Sequence, residues 1–184
     1  MQKSGMVILI NGVCGVGKST VGKILYKPLQ KFNFCHFDTD EYIFSNLSNP
    51  NVTYDANIYY ALGRMDVWHV RLMEKTPIRR ILKRNNLLLT DNFVSDRESQ
   101  YLQELLDDGI TLVHFILEAD RGTVVDRLAK EAHEEPKRTE MRISGFEYAN
   151  AYLKTHYPYA MRINTVGRSP EQVADEIYER VMFL

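Results

Sequence analysis

Between Met6 and Thr20 the chain reads MVILINGVCGVGKST, so that Gly12 is followed, after four intervening residues, by Gly17-Lys18-Ser19. These residue types at this spacing suit the binding of phosphate. Gly12, Gly15 and Gly17 let backbone N–H groups turn inward and form a cradle that side chains would otherwise block, and Val13, Cys14 and Val16 contribute the amides between them. Lys18 is placed to reach β- and γ-phosphates and the Ser19 hydroxyl to ligate Mg²⁺. The helix that opens through Ser19 and Thr20 points its positive end at the same anion. Before the loop, Val7-Ile8-Leu9-Ile10 has no polar alternation, the pattern of a parallel strand covered on both faces. Strand, loop and helix together predict a nucleotide site.

Acids stand at the ends of two further apolar stretches: Asp38 and Asp40 close FNFCHFDTD, and Asp91 closes LLLTD. Phosphoryl transfer needs Mg²⁺ on the phosphates, a group that orients or deprotonates the acceptor hydroxyl, and cations over the migrating phosphoryl group. Carboxylates near Ser19 can supply the first two. Asp40 is the first candidate for the acceptor hydroxyl, Asp38 is open as base or metal ligand, and Asp91 is a candidate to support the metal. The competing reading is helix capping, by Asp38 and Asp40 for a helix near Glu41 and by Asp91 for one near Ser95.

The cations have candidates too. From Lys130 to Arg142 the residues Lys130, Lys137, Arg138 and Arg142 alternate with Glu131, Glu134, Glu135 and Glu140, which reads either as a solvated face or as a basic flap. On the second reading Arg138 or Arg142 touches phosphate as the flap closes. Arg127, and Arg168 beside Pro170, carry planar guanidinium groups that can stack on a base; the alternative is an ordinary surface arginine. Arg64, in Gly63–Trp68, is a candidate for an anionic or hydroxylated substrate, with Tyr54, Tyr59, Tyr60 and Trp68 as pocket lining or core. His36, His69, His114, His133 and His156 show no metal spacing, and His114 reads as a satisfied core histidine. Cys14 and Cys35 form neither a CxxC pair nor a disulfide framework, and Cys14 reads as a small neutral filler.

The elements that must position these residues follow from periodicity. Val21, Ile24, Leu25 and Leu29 predict a helix over Ser19–Gln30, disturbed at Pro28. A strand is expected over Phe32–Asp38 and another over Leu87–Asp91, separated by polar Ser45–Asp55 and a helical tract from Ala56 to about Asn85 that Pro77 splits. A helix over Ser95–Asp108 stops at Gly109, a fourth strand spans Thr111–Leu117, and Arg121 to about Glu131 is helical. A further helix through Tyr152 precedes a fifth strand, Met161–Asn164. Ser169, Pro170 and Gln172 supply a cap, a first-turn proline and a capping box for the last helix. Alternation of this kind implies a parallel sheet with helices on both faces, and ligands beyond the carboxyl ends of its strands.

At 184 residues the chain suits one α/β domain, and 45% apolar with 26% charged residues is a globular composition. A formal net charge of -1 offers no basic excess for nucleic acid and no polybasic membrane patch. No apolar run reaches transmembrane length and the N-terminus lacks a signal-peptide pattern, so a cytoplasmic protein is expected.

Gly12 to Thr20, Asp38-Thr39-Asp40, Arg127-Leu128 after FILEAD, the flap around Arg138 and Arg142, and the terminal INTVGRSPEQVADEI together resemble the small P-loop kinases. This branch holds shikimate kinase, gluconate kinase and chloramphenicol phosphotransferase, beside the nucleoside monophosphate kinases. The resemblance implies a three-layer P-loop NTPase fold with strand order 2-3-1-4-5. It also implies a helical substrate-binding insert at about 41–85 and a lid over ATP at about 130–145. Adenine would lie between Arg127 and the Arg168 to Pro170 loop, with an acid at the second strand's end as base. Shikimate kinases carry a glycine triplet after the third strand where Thr90-Asp91-Asn92 stands here, which argues against shikimate. The aspartate-glycine-x-proline-arginine run of nucleotide kinases and the Asn-Lys-x-Asp guanine signature are absent. The expectation is an ATP- and Mg²⁺-dependent kinase for a hydroxyl of a small molecule. The alternatives are a nucleoside or nucleotide kinase and a nucleotide-binding protein that sequesters a small molecule without transferring phosphate.

Overall fold

The structure, a computed structural model, describes residues 5–38, 82, 85–131 and 136–184. Strand β1, Met6–Gly12, buries Val7 through Ile10 completely, as an apolar run without alternation requires. The loop after it turns into α1, Lys18–Leu29, whose N-cap Gly17 has a left-handed φ of 103°. Pro28 does not break α1, because it falls in the last turn, where the helix is about to end. Gln30–Phe32 form a 3-10 turn, so β2 begins later than the apolar pattern suggests, at Phe34–Asp38. Strand β3 is Asn86–Thr90. The tract expected between β2 and β3, with Asp40 and Arg64, lies outside the described residues, apart from helical Leu82.

Helix α2, Asp96–Asp107, starts in a capping box made by Ser95 and Glu98 and ends before Gly109. Strand β4, Thr111–Glu118, leads to α3, Arg121–Glu131. The charge-dense segment that follows contains a helix, α4 at Pro136–Ser144, and α5 then spans Phe146–His156. Strand β5, Met161–Asn164, and α6, Pro170–Met182, end the chain, with the expected capping box at Ser169 and Gln172.

The five strands are parallel in the order β2-β3-β1-β4-β5. Their register sets Asp38, Thr90, Ile10, Phe115 and Met161 level across the sheet, so the loop of β1 and the acids after β2 and β3 leave from one edge. Helix α1 lies against β2 and β3 on one face: a Cβ at Gly22 would fall 2.5 Å from Thr90 Cγ2 and 2.9 Å from His36 Nε2. On the other face α2 and α5 are joined by the Ser99 hydroxyl, 2.9 Å from that of Tyr152 and 2.7 Å from that of Tyr157. Tyr157 lies edge-on to His114 of β4, their ring centroids 4.8 Å apart. Both layers close over a core in which Leu87, Leu88, Leu89, Phe93 and Ile177 are wholly buried. Among the described residues no helix is long and apolar enough to cross a membrane.

Candidate active site

The loop is shaped from within. Gly12 has a φ of 144°, and a Cβ there would fall 2.7 Å from Leu117 O and 2.9 Å from Val16 Cγ1, so no other residue fits the turn out of β1. Lys18 Nζ donates to the carbonyls of Gly12 at 2.8 Å and Val13 at 3.0 Å, which folds its charge over the mouth of the loop. Cys14, Gly15, Gly17, Lys18, Ser19 and Thr20 line a cavity of about 120 Å³, together with Arg142 of α4. That is the volume of about four water molecules, room for a phosphoryl group and its immediate ligands. Of Arg138 the structure describes only its place on α4.

Beside the loop, the backbone of the β3 exit is held by one side chain that sequence reasoning missed. Asn11 is fully buried, and its Oδ1 accepts from Gly12 N at 2.7 Å and Phe93 N at 3.0 Å. Its Nδ2 faces Phe93 O at 3.4 Å and His114 Nε2 at 3.3 Å. One amide thereby ties the first residue of the phosphate loop to the segment Asp91-Asn92-Phe93. The signal was available: a polar residue ending an otherwise apolar buried strand must find partners. His114 is a core histidine, but not the satisfied one expected. Its Nδ1 is buried without a hydrogen-bond partner among the described residues. Burial, assisted by the charge of Arg162, pushes it down to about 3, so it is neutral at ordinary pH and accepts from Asn11 through Nε2.

The acids sit where the strands end. Asp38 and Asp91 are both buried, and Asp38 Oδ2 accepts from the Thr90 hydroxyl at 2.8 Å. Asp91 donates its N–H to Ile10 O at 3.2 Å, which fastens the end of β3 to β1, and its Oδ1 accepts from Asn92 N at 2.6 Å. The capping alternative for Asp91 is filled otherwise, since Ser95 and Glu98 cap α2. Asn92 Nδ2 stands 3.8 Å from Cys14 Sγ, placing this segment against the loop.

The two arginines expected near a base differ. Arg127 donates to Val16 O at 3.0 Å, Thr165 Oγ1 at 3.0 Å and Thr165 O at 2.9 Å, linking α3, the phosphate loop and the turn after β5. Arg168 is turned onto α6, bonding Glu176 Oε2 at 2.5 Å and Gln172 O at 2.8 Å, so it braces the helix that Pro170 begins. The structure brings Arg142 to the loop and Arg127 to its outer wall, and ties Arg168 to α6 and, at 3.2 Å, to Asn164 O at the end of β5.

The donors present suit a small hard cation. The Ser19 hydroxyl lines the cavity and the Asp38 and Asp91 carboxylates lie at the same sheet edge, while among the described residues no three of His, Cys, Asp and Glu cluster. Mg²⁺ is held in this manner, by phosphate oxygens with one or two protein donors, rather than in a dedicated cage.

A parallel sheet in this order, with a phosphate loop after its central strand, defines the P-loop kinase class. The family described as "AAA domain" matches residues 8–145, and the chain belongs to it, within the small P-loop kinases. A shikimate kinase of Persephonella marina (strain DSM 14350 / EX-H1) is 28% identical over 174 residues, covering 95% of this chain and 98% of that one. The structure of shikimate kinase from Bacteroides thetaiotaomicron shares the fold with a TM-score of 0.68 at 14% identity, over 96% of this chain and 98% of that one. The Deinococcus radiodurans tunicamycin resistance protein does so with a TM-score of 0.59 at 21% identity, over 96% of this chain and 95% of the other.

Proposed function

We propose that the protein transfers a phosphoryl group from ATP, with Mg²⁺, to a hydroxyl of a small molecule. The observation that supports this most is the convergence at one sheet edge of a lysine-bearing phosphate cavity, an arginine from a separate helix and two buried carboxylates. The loop amides and Lys18 bind the phosphates, for which Lys18 exchanges its two carbonyl partners for phosphate oxygens. Ser19, with Asp38 and Asp91 at the same sheet edge, would hold Mg²⁺, which would draw charge from the phosphate oxygens. Arg142 neutralises charge on the group in flight, and the segment at about 130–145 acts as the lid that excludes water. Arg127 holds the outer wall of the loop and borders the adenine. Asp40 orients the acceptor hydroxyl and takes its proton, with Asp38 as the alternative, and Arg64 on the insert at about 41–85 reads the acceptor. Thr90-Asp91-Asn92 puts side chains where shikimate kinases carry glycines, so we place the acceptor outside shikimate.

The test is ATP consumption by the purified protein with Mg²⁺ against sugars, sugar acids, nucleosides, nucleotides and hydroxylated antibiotics, read by product mass. One acceptor class is expected to gain a phosphoryl group, and Lys18→Ala to lower that turnover by roughly a hundredfold to a thousandfold. Transfer undiminished in Lys18→Ala, or tight ATP binding with no acceptor in any class, overturns the proposal.

A further inference from the structure

Thr90 and Asp38 are register partners in neighbouring parallel strands, and His36 lies two residues before Asp38 on the same face of β2. The Thr90 hydroxyl is 2.8 Å from Asp38 Oδ2 and 3.2 Å from His36 Nε2. A threonine hydroxyl has one hydrogen. That hydrogen goes to Asp38 Oδ2, and the oxygen must then accept from His36. The direction of the chain is therefore fixed: His36 Nε2–H to Thr90, Thr90 O–H to Asp38.

The cover over this chain is equally specific. Gly22 of α1, one turn after Ser19, passes so close that any side chain there would strike both Thr90 and His36. Thr90 is 2% exposed and Asp38 8%. A buried hydroxyl between a nitrogen donor and a carboxylate has little freedom, and polarised hydrogen bonds in such a setting reinforce one another. A carboxylate with one oxygen so held is restrained about its terminal torsion, which is otherwise broad.

We infer that Thr90 and His36 are positioning residues that fix the carboxylate of Asp38, the one in contact with it and the other through Thr90. The inference deepens the proposed phosphotransfer reading and rests on it for its kinetic consequence, while its geometric content stands alone. Neither residue touches substrate; both act by setting the plane in which Asp38 meets the metal site or the acceptor. Preorganisation of this kind lowers kcat when lost and leaves nucleotide binding almost unchanged, because the loop amides and Lys18 are untouched.

The test compares Thr90→Val, which keeps the shape and removes the hydroxyl, with Thr90→Ser, which keeps the hydroxyl. Crystal structures come first. The Asp38 carboxylate is expected to turn from its parent orientation in Thr90→Val and to retain it in Thr90→Ser, and an unchanged carboxylate in Thr90→Val overturns the inference whatever the activity. With an acceptor from the panel, Thr90→Val is expected to lose roughly tenfold or more in kcat with KM for ATP within about twofold. Thr90→Ser is expected to stay within about threefold of the parent. In the Thr90→Val background His36→Gln should add nothing further, since the route to Asp38 through the Thr90 hydroxyl is gone. Equal losses in Thr90→Val and Thr90→Ser, or losses of His36→Gln and Thr90→Val that simply multiply, count against it. A parent without phosphotransfer defeats the functional reading and leaves the crystallographic comparison to decide this one.

Discussion

At the scale of single residues the least expected finding is how much of the site is held by one buried amide, Asn11, and the imidazole beside it, His114. Asn11 satisfies two backbone N–H groups and meets His114, and none of these partners is near it in sequence except Gly12. That is why its type was legible and its role was not: an unbroken apolar run tells that a strand is buried, never what faces its residues from another strand. Neutral His114 makes a measurable prediction. Its folded value of about 3 lies below the ordinary 6.5, so between those limits the unfolded chain binds the extra proton. Stability gained from this residue is therefore full above pH 6.5 and falls as pH drops towards 3, by about 1.4 kcal/mol per pH unit for one proton. His114→Gln keeps an acceptor for Asn11 and cannot titrate. Urea unfolding of both proteins at several pH values from 6.5 down to 4 should show a shallower acid loss in the variant. Parallel curves would mean that His114 is charged in the folded protein.

Elements show where local signals suffice. The capping box at Ser169 and Gln172, the proline that opens α6, and the short β5 were all readable, because each is decided by neighbours a few residues apart. The helix α4 inside the charged segment was not, since Pro136–Ser144 mixes both signs of charge without an apolar stripe that fixes a period. Gly22 was equally silent. Its meaning comes from β2 and β3, which press against α1 at the chain His36, Thr90 and Asp38. Gly22→Ala would suit an isolated helix, which gains by the change. In the folded protein the methyl group must push α1 away from the sheet, at a cost of about 1–3 kcal/mol. A lowered thermal midpoint with helix content retained is the expected result, and a midpoint raised above the parent's would show that α1 does not lie as close as described.

Across the whole molecule the charge nearly cancels, at a formal -1, so attraction for a nucleotide cannot come from a general basic field. It has to be local, and the structure supplies it where β1 delivers its loop: Lys18, the α1 N-terminus and Arg142 surround one small cavity. The strand order that brings those groups together was accessible from the resemblance carried by the loop, and Arg142 was one of two arginines expected there; that it lines the cavity required the fold, because it reaches the loop from a distant helix. A site of this kind couples ligand binding to the stability of the sheet, since the loop is clamped by Asn11 to the segment after β3 and by Arg127 to the turn after β5. Ligand at a hundred times its Kd stabilises a folded protein by about 2.7 kcal/mol, and a chain of this size gains roughly 2–4 °C in Tm per kcal/mol. Saturating ATP with Mg²⁺ should therefore raise Tm by about 5–10 °C. Lys18→Ala should forfeit most of that shift at the same nucleotide concentration while keeping the unliganded Tm close to the parent's, because Lys18 contributes two hydrogen bonds to loop carbonyls and little to the core. An equal shift in both proteins would place the nucleotide elsewhere on the molecule and detach Lys18 from it.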